Sequence, residues 1–565
     1  RRLARTMHDA LAALPDQRSD DLLSRVRIAR VAGIDIDRDT MLTASVHALF
    51  HRDDALAAEL SKRALDDAPS ALASLVLGKA LLYQGRNSAA EEAFATAEQA
   101  NADDALRTQV AITRGRNQYL HLRDIPAAVA TVKSVREDVA DRPSRMLLDS
   151  AITVLEASLG SWHEVARRGG AVLNDETAAN EAVLPLLALA GAAQLTTGHL
   201  GGLDALVSRG LELASTSGPL FAGTGSLEFR VLASLKTAYE GDLAAAAVSA
   251  AGMYESVLAH RNEYGAAIAA YAFGHVLMLQ GVAGRALQIQ REAGQHATRI
   301  DPYQTGAFSL AEAAVAAVAA GDAPEASRLL VAYDALPPAP YPRSRVPRMR
   351  AAAWSIAATG DLAEASRLAR TAGDHGQEED RLMWAAFAYH DAVAFGHASM
   401  VADRLAAVAA ATDAALVSAL AAHACAARDQ NPAGLARAAQ RLHETGAWLA
   451  AAAAASRAAN LYARSNDSSA MVAQQAIRER LLPRLGNVWC PALRIRPQLL
   501  TSREFEIASL AALGMTSRAI AERLIISVRT VDNHLASVYA KLDIAGRSDL
   551  PRVIGVGTTN ATSDS

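Results

Sequence analysis

The chain has 565 residues, a formal net charge of -4, and 51% apolar residues of which few are aromatic, these being only 5% of the whole. That length allows several domains or one long repeat array, and the near-neutral charge excludes a polybasic nucleic-acid coat, so any contact with a polyanion must be local. The two cysteines, Cys425 and Cys490, have no CxxC or histidine companion, which argues against a disulfide scaffold and a zinc site, and no apolar run is long enough to span a membrane.

The first residues, "RRLARTMHDALAALPDQRSDD", carry acids and no signal-peptide apolar core. With few cysteines, this leads us to expect a cytoplasmic protein. The missing initiator methionine suggests that an upstream part is absent.

From there to about residue 480 one signature recurs: an apolar helical run, a Gly-Asp or polar equivalent, then a helix with Ala at a fixed offset. Examples are "YEGDLAAAAV", "AAGDAPEASRLL" and "ATGDLAEASRLA". Gly241, Gly281, Gly321 and Gly360 are spaced by 40, 40 and 39. Gly198, Gly160, Arg123 and Gly85 extend the series backwards by 43, 38, 37 and 38, with weaker members at Gly396 and around Arg428 and Arg464. A left-handed Gly ends one helix, Asp caps the next, and Ala lets the pair approach closely. Two helices per unit at such a period are the mark of a helical solenoid. The units resemble tetratricopeptide repeats but are longer and lack that family's full Trp, Tyr and Pro pattern.

Two stretches interrupt the array. "ALPPAPYPRSRVPRMR", 335–350, has five prolines and four arginines and reads as an extended connection or a basic lip for an anionic partner. "LLPRLGNVWCPALRIRPQ", 481–498, reads as a linker. No phosphate loop, GxGxxG, HExxH or GxSxG occurs, and the histidines are scattered along the chain, so we expect neither an enzyme nor a metal, and no cofactor.

The last sixty residues change character. Thr501 and Glu504 form a T-x-x-E capping box for a helix with Ile507 and Leu510 inward, ended by Leu513 and Gly514. Thr516 caps a short helix carrying Ile520, Ala521 and Leu524. After a tight turn Ser527 caps a third helix, where Val531, Leu535, Val538 and Leu542 make one apolar stripe. This is a helix-turn-helix.

Leu500, Thr501, Arg503, Glu504, Glu506, Leu510, Gly514, Ile520, Ala521, Leu524, Ser527, Thr530, Val531, His534, Lys541, Leu542 and Arg547 resemble the conserved pattern of the LuxR-family DNA-binding domain. The combination with an upstream solenoid resembles the MalT-like branch of large regulators, whose N-terminal nucleotide-binding module is absent from this chain. The resemblance implies that the helix starting near Val528 enters the major groove and that the domain works as a dimer on paired half-sites. Arg529, Asp532, Asn533 and Ala536 are then the candidates for reading bases, and Thr516, Ser517, Arg518, Ser527, Thr530, His534 and Lys541 for contacting the DNA backbone.

Two departures stand out. Asp532 occupies a place where many members have Lys or Arg, and Pro551 falls in the first turns of the family's last helix. Residues 500–552 hold seven Lys/Arg and six Asp/Glu, so counterion release contributes little affinity. Asp532 can pair with Arg529 one turn before it, or accept a bond from cytosine.

The expectation is an all-α protein: a tetratricopeptide-like solenoid over 1–480 as sensor or interaction domain, a linker over 481–498, a LuxR-type helix-turn-helix domain over 499–554, and a disordered tail over 555–565. Its partners would be double-stranded DNA, a second copy or larger assembly, and an unknown protein or small-molecule effector at the solenoid, with no membrane. Two alternatives stand beside this: an interaction scaffold whose helix-turn-helix binds DNA weakly or not at all, and the back half of a nucleotide-driven STAND-type ATPase regulator.

Overall fold

The computed structural model describes residues 2–12, 19–160, 162–171, 183–216, 225–259, 263–299, 305–336, 344–494, 500, 502–542 and 544–551. These form 29 α-helices and a few 3-10 turns, with no strand among the described residues. None of the helices is long and apolar enough to cross a membrane.

The array is a tetratricopeptide-like α-solenoid of antiparallel helix pairs. Its punctuation follows from backbone chemistry. Gly198, Gly241, Gly281, Gly321, Gly360 and Gly396 all adopt positive φ, between 74° and 99°, a region that only a residue without a Cβ enters freely. The following acid then caps the next helix: Asp322 accepts from the Glu325 amide at 3.0 Å and Asp361 from that of Glu364 at 2.9 Å. The weaker turns lie two residues beyond the expected arginines, at Gln430 and Asn466, whose φ values are 47° and 58°. Gly160 is the last residue of the helix Arg142–Gly160, and its neighbour Ser161 lies outside the described residues.

The two helices of a pair are unlike. Thr305–Ala319 is buried around nearly its whole circumference, whereas Ala323–Asp334 buries only Glu325, Ala326 and Leu329. In this pair, as in Ala71–Tyr83 with Asn87–Gln99, the first helix lies inside and the second outside, with small residues at the crossings. A Cβ on Gly373 would lie 2.3 Å from the Tyr389 ring, and one on Gly210 equally close to Phe229.

The superhelix winds round until distant units touch. The Leu243 amide donates to the Thr445 carbonyl at 3.1 Å, and the Asp413 amide to that of Gly198 at 3.1 Å. The Asp413 carboxylate in turn accepts from the Leu200 and Gly201 amides at 2.6 and 2.9 Å. Units roughly five repeats apart are therefore neighbours, as expected where each repeat adds a small rotation.

Both interruptions differ from expectation. Within 335–350, Arg345–Arg350 is already helical. Pro347 is tolerated because it stands in the first turn of Arg345–Ala358, where the missing amide had no intrahelical partner. The basic lip does not form from the described arginines. Arg348 pairs with Asp334 at 2.8 Å, Arg350 with Asp391 at 2.7 Å, and Arg345 approaches Glu379 at 4.0 Å. Residues 337–343 lie outside the described residues. Within 481–498, the helix Ser468–Leu485 contains Pro483, and Leu481, Leu485, Cys490, Ala492 and Leu493 are buried in the core of the array. The Trp489 amide donates to the Ala319 carbonyl at 2.6 Å and its ring meets Trp354 edge-on. Most of the stretch is thus a strap packed on the array, because its apolar residues outweigh its prolines.

The interior also holds polar groups. The Tyr239 hydroxyl and His275 Nε2 are 3.1 Å apart, His275 Nδ1 and Glu312 Oε1 2.7 Å, and Gln290 donates to the other Glu312 oxygen at 2.8 Å. Nearby, Arg350 forks onto Asp391 at 2.7 and 3.2 Å. Buried polar groups persist only when partnered, and His275, Glu312 and Asp391 are 1, 3 and 5% exposed.

Candidate nucleic-acid interface

Three helices, Ser502–Ala512, Ser517–Leu524 and Val528–Leu542, pack through their own apolar cluster. Ile507, Ala508, Ile520, Ala521, Val531, Leu535 and Val538 are its buried centre. Gly514, at φ 87°, ends the first helix. Thr516 caps the second through the Ala519 amide at 3.3 Å. Ile525 makes the tight turn in the left-handed conformation, at φ 54°. Ser527 then caps the third helix, accepting from the Thr530 amide at 3.1 Å while the two hydroxyls bond at 2.7 Å.

This fixes which face of Val528–Leu542 is free. Val531, Leu535 and Val538 point inward, and Arg529, Asp532, Asn533, Ala536 and Ala540 form one exposed ridge on the far side. The four base-reading candidates are thereby brought together. No hydrogen bond or ion pair within the described residues engages the side chains of Arg529, Asp532 or Asn533. The expected Arg529–Asp532 pair is absent. Base before acid along a helix is the weaker order for such a pair, so both ends stay open to an outside partner.

The backbone candidates divide. Thr516, Ser527 and Thr530 line the two helix starts and serve first as caps or cap partners. Ser517 opens the second helix, and exposed Arg518 sits 3.4 Å from Glu522, one turn on. His534 is half-buried beside the ridge. Lys541 is the exception. Its ammonium lies 2.9 and 2.8 Å from the two oxygens of Glu504, which is 5% exposed and also accepts from the Ser537 hydroxyl at 2.7 Å. Its charge is balanced inside the domain by that carboxylate. Among the described residues, Arg523 and Arg529, flanking the turn, are basic side chains with no carboxylate within ion-pairing distance.

Three features escape periodicity. Glu504 faces the third helix and fastens it to the first; Thr501, its expected capping partner, lies outside the described residues. Arg503 donates to the Leu524 carbonyl at 3.1 Å, closing the end of the second helix. Ile525 is 92% exposed, although it is a large β-branched residue in the left-handed region. Polar first-helix positions read as solvent-facing, and nothing local marks a β-branched residue as the turn. Pro551 falls in a helical turn begun at Leu550, where its missing amide is harmless. The tail 555–565 lies outside the described residues.

Residues 498–554 match the family described as "Bacterial regulatory proteins, luxR family". The chain is 43% identical over 49 residues to the transcriptional regulatory protein LiaR of Bacillus subtilis, 9% of this chain and 23% of that protein. It is 37% identical over 86 residues to a protein of Mycobacterium bovis named as an HTH-type transcriptional regulator, 15% of this chain and 9% of that one. The matched part is thus a minor share of each of these two relatives. Over the whole chain, the structure of the APC/C hetero-tetramer Cut9-Hcn1 is similar at 12% identity and a TM-score of 0.40, covering 97% of this chain and 95% of that one. The spore germination protein GerE of Bacillus subtilis is 44% identical over 50 residues, 9% of this chain and 68% of GerE, and with that match the chain belongs to the luxR family of bacterial regulatory proteins.

Proposed function

We propose that the chain is a DNA-binding transcriptional regulator that works in the cytoplasm, with residues 499–554 binding promoter DNA and residues 1–480 receiving a protein or small-molecule signal. The observation that carries this reading is the unpaired ridge Arg529, Asp532, Asn533, Ala536 on a helix whose opposite face is locked into a three-helix core. Laid in the major groove, Asn533 can bond adenine N6 and N7, Asp532 can accept from cytosine N4, and Arg529 reaches a guanine edge or a phosphate. Thr516, Ser527 and His534 sit where the sugar-phosphate backbone passes and set the register without reading sequence.

With Lys541 neutralised internally, few free cations remain, so one domain binds weakly. Two copies on paired half-sites supply avidity. The test is to recover and sequence the genomic fragments that the full chain retains. A recurrent paired motif supports the reading, and random fragments at every salt concentration reject it.

The same charge balance favours a second reading, an interaction scaffold whose helix-turn-helix does not hold DNA. Binding that weakens steeply with salt distinguishes the regulator from the scaffold. Absence of binding at low salt favours the scaffold.

A further inference from the structure

Inside the superhelix, bordered by the inner helices Leu184–Thr197, Gly225–Tyr239, Glu263–Gln280 and Thr305–Ala319 and by the start of Leu382–Ala394, lies a half-open cavity of about 200 Å³. Its walls are unlike the rest of the array. In a chain poor in aromatics it gathers Trp162, Tyr239, Tyr271, Phe308 and Trp384, two of the five tryptophans among them. Tyr271, Phe308 and Trp384 run together as one wall, with ring centres 5.9 and 5.7 Å apart. Alanine elsewhere packs the inner helices tightly, so aromatic rings around an open space need an occupant to fill it.

Charge decides the kind of occupant. Glu228 and Arg381 reach the wall, and both are balanced. Glu228 accepts from Arg116 at 2.6 Å, and Arg381 lies 3.1 Å from Glu379. A charged molecule would give up part of its hydration against a mostly apolar wall that offers no free counter-charge, which is unfavourable. Tyr271 lines the cavity, and its hydroxyl makes no hydrogen bond among the described residues. It differs from Tyr239, whose hydroxyl is held by His275. Size narrows the choice further. An apolar cavity of roughly 150 Å³ accommodates benzene, so the sheltered part of this one takes one ring or two fused rings.

We propose that this cavity binds an uncharged, planar aromatic molecule of one or two rings, stacked in the Tyr271–Phe308–Trp384 wall and hydrogen-bonded to the Tyr271 hydroxyl. The proposal names the class of effector for the receiving end of the regulator and rests on that reading for its meaning, but binding is measurable without DNA. The wall continues into the buried polar groups, since His275 stacks on Tyr271 and meets Trp384 at 5.5 Å. An occupant therefore touches the residues that join neighbouring inner helices.

The test is calorimetric titration of the full chain with indole and with the isosteric set benzamide, benzamidine and benzoate. Indole and benzamide bind, and benzamidine and benzoate bind at least tenfold more weakly. Tyr271→Phe weakens benzamide about tenfold, the loss of one hydrogen bond, and leaves toluene unchanged. Ala192→Phe, which fills the cavity, abolishes indole binding while the protein stays helical. If that variant does not fold, the contrast between benzamide and toluene in Tyr271→Phe decides. The proposal is overturned if neither neutral probe binds at millimolar concentration, if a charged isostere binds as well as benzamide, or if folded Ala192→Phe binds indole like the parent. DNA retention, measured separately, can fail without affecting any of these results.

Discussion

The inner helices of the array and the third helix of the C-terminal domain treat polar side chains in opposite ways. In the array, Tyr239, His275, Glu312, Arg350 and Asp391 are turned inward and matched with one another. In the C-terminal domain, Arg529, Asp532 and Asn533 are turned outward and left unmatched on an exposed ridge. Paired polar groups inside a core select one packing among many alanine-rich alternatives. Unpaired groups on a rigid surface wait for a ligand that completes them. The one polar cluster that the C-terminal domain does satisfy, Glu504 with Ser537 and Lys541, positions the ridge.

The contrast can be broken most severely from the array side. Ala365 is 0% exposed at a helix crossing, and Ala365→Glu buries a carboxylate without a partner. We expect a loss of about 3–5 kcal/mol in urea unfolding, and an unchanged melting temperature would reject the placement.

Acid should act on the same region. His390 and His423 lie 3.0 Å apart in the interior, where burial, with Arg350 adding to it, drives the His390 pKa down to about 4 and that of His423 well below its ordinary value. The unfolded chain then binds more protons than the folded one below the ordinary histidine pKa. Stability is therefore full above about pH 6.5 and falls as pH drops toward 4, by at most about 1.4 kcal/mol per pH unit for each histidine. The double variant His390→Gln, His423→Gln should flatten that slope in thermal melts between pH 7 and 5.

Next is Lys541→Ala. It strands the buried Glu504 carboxylate and should destabilise the C-terminal domain by about 1–3 kcal/mol. If hydrogen exchange instead shows loosened array helices, the pair does not act locally. The finest change is Asp532→Ala. It should leave stability within about 0.5 kcal/mol and alter which sequences are selected, with about 1–3 kcal/mol of discrimination at one base pair. A uniform gain for every sequence would mean that Asp532 only repels phosphates.

Much of the fold was readable because turns depend on single residues. Gly241, Gly281, Gly321 and Gly360 announce left-handed turns by their identity and spacing. Where the same turn is made by Gln430 or Asn466, side chains that also occur within helices, the phase slipped to nearby arginines. The helix-turn-helix was legible from its caps and its apolar stripe, and the ridge residues from the face opposite that stripe.

What stayed hidden was everything set by winding. No local pattern records that Leu243 meets Thr445 or that Trp489 meets Ala319. The interior polar groups were missed for a related reason. Tyr239 and His275 are 36 residues apart and His275 and Glu312 are 37 apart, one repeat each time. A search for histidines at helical spacing passes over partners placed one repeat away. The partner of Lys541 stayed hidden because it lies on another helix, 37 residues earlier.

The strap at Trp489 also sets a leash. With Leu493 buried in the array and Leu500 already in the C-terminal core, the seven steps between them span at most about 25 Å when fully extended. Half-sites on opposite ends of an operator lie roughly 34 Å apart or multiples of that, farther than one leash can stretch. In the proposed dimer on paired half-sites, each array would therefore lie within one leash of its own half-site, so the spacing of the operator would bound the distance between the two arrays.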